Sequence, residues 1–248
     1  MQKRSGAEHY RREVSRVEGF SDAVFAFAVT LLVVSLEVPR TYHELMLAIR
    51  GFPAFAVCFA LLFQVWWRHY RFFRNYDLED AHVIVLTGLL LFVVLFYVYP
   101  LKFLWTVVFS PFVGRPIADE ILTVREVSRL FEIYGLGVAA IFGILAAMYS
   151  HAYARRGGLE LTALEIVDTR IEIYRNLGLA AIGLLSVAVA AITAVAAPRF
   201  VVTAGYLYFT IGFSEWGIGE YGSRLRKRVA ADVTAASAEP NRADTSPA

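Results

Sequence analysis

Six long apolar stretches, separated by shorter polar and basic connections, set the pattern of the chain. They lie at residues 20–38, 47–73, 82–101, 130–153, 176–197 and 200–221. Pro198 and Arg199 divide the last two. The first stretch has nineteen residues, and a helix of that length measures about 28 Å, enough for the hydrocarbon core of a bilayer. The pattern predicts an all-α protein, a bundle of six transmembrane helices.

Polar segments flank this core and divide the chain into three parts. We expect a basic N-terminal segment at 1–19, a transmembrane domain at 20–222, and a basic, then disordered tail at 223–248. Residues 159–175 alternate charged and apolar side chains at helical spacing, which predicts a surface helix leading into the fifth span. Within that span, Ser186, Ala190 and Ala194 repeat every four residues, and such small side chains favour close helix packing.

Composition and charge agree with a membrane protein. The 248 residues are 58% hydrophobic and only 19% charged, more apolar surface than a soluble domain of this length can bury. The single cysteine, Cys58, excludes an intrachain disulfide and a zinc–cysteine cluster. With six spans, sixteen Lys and Arg residues fall on the side of the termini and seven on the other side. The positive-inside rule then predicts a cell-membrane protein with both termini in the cytoplasm.

The first span carries the most patterned side chains. One helix face is formed by Phe20, Val24, Phe27, Leu31, Val34 and Val38. Thr30 lies beside this stripe, and Ser21 and Asp22 stand at its start, preceded by Arg16. Ser21 and Asp22 are also suited to cap a helix, and Arg16 to be a positive-inside residue.

The second span supplies possible partners for these polar residues. Trp66 and His69 are three residues apart and therefore share a helix face. Because consecutive spans run in opposite directions, this pair lies at the depth of Ser21 and Asp22. An indole and an imidazole there could bind a carboxylate and a hydroxyl. The alternative is an aromatic belt at the membrane interface.

The motif Arg16-x-x-x-Phe20-Ser21-Asp22, followed by an apolar helix that contains Thr30, resembles the signature of the transmembrane protein 175 family of potassium channels. The resemblance implies a homotetramer whose pore, at the centre of the assembly, is lined by the first helix of each subunit. It also implies that Trp66 and His69 hold the motif. No internal copy of the motif is present, which corresponds to the single-repeat form of the family.

The same resemblance assigns residues to the pore. The family's narrowest ring lies five positions after the motif aspartate, which is Phe27 here, a phenyl group where the family carries a branched aliphatic side chain. Thr30 matches a hydroxyl position, and Leu31 and Val34 complete the expected pore face. A ring of apolar side chains can stop ions by dewetting.

These observations predict a potassium-selective or cation-permeable leak channel. Its expected partners are potassium ions in transit, the bilayer and further copies of the chain, with no cofactor, resident metal or nucleic acid. A small-solute transporter is an alternative, but transporters place ionisable residues near mid-membrane, and here they lie toward the span ends. A non-conducting sensor remains a second alternative. No catalytic motif indicates an enzyme.

Overall fold

The structure, a computed structural model, describes residues 15–34, 39–113, 123–197 and 203–238. Every regular element in these residues is helical, which confirms the all-α prediction. The helices are α1 (Arg16–Val34), α2 (Tyr42–Tyr76), α3 (Ala81–Val113), α4 (Val124–Ala154), α5 (Ala163–Ala196), α6 (Thr203–Tyr206) and, after a 3-10 turn at Leu207–Phe209, α7 (Thr210–Ala238). Among the described helices, α2 to α5 are long and apolar enough to cross a bilayer.

Hydroxyl side chains fix where the helices begin. Thr123 and Thr162 each form a capping box with the glutamate three residues later, at the starts of α4 and α5. Ser15 accepts the backbone N–H of Glu18 and so starts α1 before the motif. Ser21 and Asp22 therefore lie in the second turn of α1, and the alternative in which they cap the helix is wrong.

Two helices extend further than their apolar stretches predict. Helix α3 continues through Pro100 to Val113, and side chains at its crossing with α4 hold it there. The hydroxyl of Tyr134 donates to the carbonyl of Pro100 at 2.5 Å. The hydroxyl of Tyr97 donates to the carbonyl of Tyr134 at 2.6 Å. Helix α7 reaches Ala238, so the basic part of the predicted tail is helical. The predicted turn at Pro198 and residues 239–248 lie outside the described residues.

Helix α5 differs from the prediction in a way that matters for the site. The expected surface helix at 159–175 and the fifth span are one continuous helix, Ala163–Ala196. Glu172 and Asn176 are buried on it. The segment is therefore not a separate surface helix: Glu172 faces neighbouring helices instead of water, although Glu165 and Arg170 are exposed as predicted.

Small residues bring α4 and α5 together in the most extensive helix contact of the described residues. A Cβ atom added to Gly183 would lie 2.6 Å from the carbonyl oxygen of Gly135, so only glycine permits this approach. Of the predicted small-residue repeat, Ser186 and Ala190 are fully buried and Ala194 is half-buried. Ser128 on α4 donates to the carbonyl of Ala190 at 3.1 Å.

The connection between α2 and α3 is tied to the end of α4. Asp80 accepts the backbone N–H of Val83 at 3.0 Å, and its other oxygen lies 2.6 Å from Nε2 of His151. This hydrogen bond from His151, with smaller contributions from the Val83 N–H and Arg155, holds the pKa of Asp80 below its ordinary value. The carboxylate thus ties the start of α3 to the end of α4.

Candidate functional site

Helix α1 has one face packed into the protein and one face that no other described helix covers. Phe25, Ala28 and Leu32 are buried against α2 and α3. On the opposite side, Phe20 is 63% exposed and Phe27 is 55% exposed. Large apolar side chains on an uncovered helix face mark a surface for lipid or for another protein chain. We refer to this side of α1 as the free face.

The four residues predicted to line a pore are placed differently around α1. Phe27 and Thr30 are exposed on the free face. Leu31 is partly buried and packs against the core of the subunit. Val34 is the last residue of α1, and its side chain, like all of Val38, lies outside the described residues. The centre of the free face is therefore displaced from the predicted stripe toward Thr30.

The hydroxyl of Thr30 donates to the carbonyl of Ala26 at 2.9 Å, one turn back in α1. This bond uses the hydroxyl hydrogen, but it leaves oxygen lone pairs available on an exposed side chain. A hydroxyl oxygen of this kind can still accept a cation, because the cation needs only the lone pairs. The helical back-bond and a role in ion coordination are therefore compatible.

Asp22 and Trp66 meet across the α1–α2 contact, as their predicted depths require. The indole Nε1 of Trp66 donates to a carboxylate oxygen of Asp22 at 2.7 Å, and both residues are half-buried. Tyr70 stacks on the indole with ring centroids 5.5 Å apart, which limits its rotation. A hydrogen bond to a carboxylate is stronger than a neutral one, so this contact fixes both helices and the carboxylate.

The remaining motif residues are less connected than the sequence predicts. Ser21 donates to the carbonyl of Val17 within its own helix at 2.7 Å. His69 is buried between Phe25 and Phe73, with centroids 5.8 and 4.9 Å away. Among the described residues its Nε2 atom has no hydrogen-bond partner.

Two motif residues face outward. Arg16 is the first residue of α1 and is exposed, and no ion pair within the described part of the chain includes it. Phe20 lies on the free face. In the motif, Asp22 is held by α2, Ser21 is buried and bonded within α1, and Arg16 and Phe20 point away from the subunit.

Replacing Trp66 by Phe tests the Asp22 contact. The substitution keeps an aromatic ring but removes the N–H, and a half-buried carboxylate that loses its donor costs about 1–3 kcal/mol of stability. We expect a lower thermal unfolding midpoint in detergent. Trp67→Phe is the matched control. It removes the same indole N–H from the same helix, but at a position that is 47% exposed. Equal midpoints for the two variants would contradict a stabilising Trp66–Asp22 bond.

A cluster of charged side chains, with Arg68 and Glu172 buried, joins α2 to α5 and α7. Sequence reasoning missed it. Arg68 lies 2.9 Å from Glu215 and 3.7 Å from Glu172. Glu172 also pairs with Arg71 and Arg175, each at 3.2 Å. Arg175 completes the cluster through a 3.1 Å contact with Glu215. We call these five side chains the ion cluster.

A signal for the ion cluster was present in α5. Its buried positions include Glu172, Asn176, Gly183, Ser186 and Ala190, which recur at steps of three, four and seven. The two polar residues thus lie on the same stripe as the small residues that pack between helices. A charged residue on a packing stripe indicates a buried ion pair, since an unpaired charge there is costly.

Comparison with known proteins places this arrangement in a family. A sequence model described as the endosomal/lysosomal potassium channel TMEM175 matches residues 16–97. A protein named potassium channel, from Marivirga tractuosa, is 40% identical over 205 residues, which cover 80% of this chain and 83% of the relative. The chain belongs to the TMEM175 potassium channel family. With its apolar helices, it is a multi-pass membrane protein.

A solved structure of a TMEM175 channel has the same fold as this chain. The crystal structure of a variant of the potassium channel MtTMEM175, bound to a nanobody fusion protein, is 34% identical and superposes with a TM-score of 0.76. The match covers 90% of this chain and 99% of that one. A potassium channel of Chamaesiphon minutus is 34% identical over 98 residues, 36% of this chain and 47% of the relative.

Proposed function

We propose that this TMEM175 family member is a potassium-selective or cation-permeable leak channel formed by four copies of the chain. The observation that carries the proposal is the free face of α1, which presents Phe27 and Thr30 and which the subunit itself leaves uncovered. Four such faces around an axis would enclose a pore. The names of the relatives, all potassium channels, support potassium as the ion.

The proposed topology has six spans in one domain, residues 20–222, of a cell-membrane protein. Helices α2 to α5 supply four spans, and α1 with the segment that ends in α7 supplies the other two. The excess of Lys and Arg on the side of the termini supports a cytoplasmic location for both. Asp80, the ion cluster and the start of α1 would then lie at the cytoplasmic end.

The proposed conduction path uses side chains of α1 in order from the cytoplasm. Asp22 attracts cations to the inner mouth, with its carboxylate oriented by Trp66. Four Phe27 side chains form an apolar constriction that excludes water until the rings swing aside. Beyond it, the exposed hydroxyl oxygens of Thr30 replace part of the water shell of the ion.

Potassium flux from liposomes that contain the purified protein tests this function. The protein in the preparation should be a tetramer, with four times the 27.7 kDa mass of one chain. We expect Thr30→Val to lower the preference for potassium over sodium about fivefold, since a hydrogen-bonding oxygen contributes about 1 kcal/mol. Thr106→Val is the control, because Thr106 is an exposed α3 threonine with the same back-bond, to Lys102.

One result would count against the channel and another against the role of Thr30. Absence of flux from a folded tetramer would favour the transporter or the sensor. A preference unchanged in Thr30→Val, or lowered equally in Thr106→Val, would remove Thr30 from the conduction path while leaving conduction itself intact.

A further inference from the structure

A cavity of about 380 Å³ opens at the end of the bundle where α2 ends, α5 begins and α7 passes. Its charged lining consists of Arg71, Arg175, Arg226, Lys227, Asp168 and Glu172. Gly219 and Gly222 of α7 form part of its wall, and neither fills the space with a side chain. The cavity therefore combines an open volume with a dense set of charges.

Basic groups outnumber acidic groups around this cavity. Asp168 is held by Arg226 through two hydrogen bonds. Glu172 is shared among the arginines of the ion cluster. Lys227 has no ion-pair partner among the described residues. Together with the ion cluster, five basic side chains face three carboxylates, an excess of two positive charges.

Such an excess favours a bound anion. Arg71, Arg226 and Lys227 all remain partly or largely exposed, so an anion can reach these cations from the water. Arginine guanidinium groups present paired donors that match the oxygens of a phosphate group. Basic pockets between transmembrane helices on the cytoplasmic side are suited to phospholipid head groups. The cavity lies at the end that the distribution of Lys and Arg assigns to the cytoplasm.

We infer that this cavity binds a phosphate group, carried by an anionic lipid or by free phosphate. Lys227, the one cation of the cavity lining without a carboxylate partner among the described residues, contacts the anion most directly. Arg71 and Arg226 hold it from α2 and α7. The bound phosphate thus completes the charge balance of the ion cluster and links α2 to α5 and α7. None of these residues belongs to the proposed conduction path.

Native mass spectrometry of the purified full-length protein tests the inference without any measurement of ion flux. The probes are short-chain phosphatidylglycerol, short-chain phosphatidylcholine, and inorganic phosphate at matched ionic strength. Lys227→Gln is expected to weaken phosphatidylglycerol binding about fivefold, the effect of one basic residue near a membrane surface. Lys227→Arg should restore binding. Arg228→Gln is the matched control, an exposed neighbour outside the cavity lining.

Some outcomes identify the source of the phosphate, and others overturn the inference. Phosphatidylglycerol binding that resists inorganic phosphate assigns the site to a lipid head group, and displacement by phosphate assigns it to the free anion. The inference is overturned if neither probe binds, if phosphatidylcholine binds equally well, or if Lys227→Gln binds as the unmodified protein does. Equal loss in Arg228→Gln would also overturn it, because that would indicate general surface charge.

Discussion

Replacing Phe27 by Ala is expected to raise potassium flux through the reconstituted protein by at least about tenfold, since a tenfold change needs only about 1.4 kcal/mol of barrier. The phenyl ring is 55% exposed on the free face of α1. In the proposed tetramer, four such rings narrow the path, and an apolar constriction of this kind stops ions by excluding water. Removing the rings widens the path and lets water enter.

The measurement is potassium efflux from liposomes with equal amounts of tetrameric protein. Phe96→Ala is the matched control, because Phe96 is 67% exposed on α3 and loses the same atoms away from the free face. Its flux should equal that of the unmodified protein. A Phe27→Ala variant that conducts no better than Phe96→Ala would show that the phenyl ring is not the constriction.

The sequence was sufficient for features that depend on local pattern. Lengths of apolar stretches predicted the helices, and the antiparallel order of the first two spans placed Trp66 beside Asp22, where the structure has a hydrogen bond. The spacing of Ser186 and Ala190 predicted their burial. In each case the information lies within one helix, or within two helices whose relative direction is fixed by a short connection.

Features that depend on distant partners were not predictable in this way. Leu31 follows the same apolar spacing as Phe27, yet it packs inward because α2 and α3 approach α1 from its side. Glu172 was expected to be solvated because it lies in the segment 159–175, where charged and apolar side chains alternate at helical spacing. Its partners Arg68 and Arg71 lie on another helix, about a hundred residues away in the chain. Helix rotation and burial are set by such contacts, which periodicity alone does not specify.

The ion cluster carries the largest expected effect on stability. Glu172→Gln keeps the size of the side chain but removes the charge that Arg68, Arg71 and Arg175 share. Removing one partner of a buried ion pair leaves uncompensated charge and costs about 3 kcal/mol. We therefore expect a clearly lower free energy of unfolding, measured by denaturant titration of the purified protein in detergent with helical circular dichroism.

Glu220→Gln is the matched control, because it removes the same charge from an ion pair that is exposed instead of buried. Glu220 also pairs with an arginine, Arg224, at 2.9 Å, but both side chains are largely exposed. An exposed pair of this spacing contributes about 0.5 kcal/mol or less. Equal destabilisation by the two substitutions would mean that the ion cluster adds nothing beyond surface pairing. A much larger destabilisation by Glu172→Gln would support a role for Glu172 in fixing α2, the helix that holds Asp22. Glu172 contacts α2 through Arg68 and Arg71.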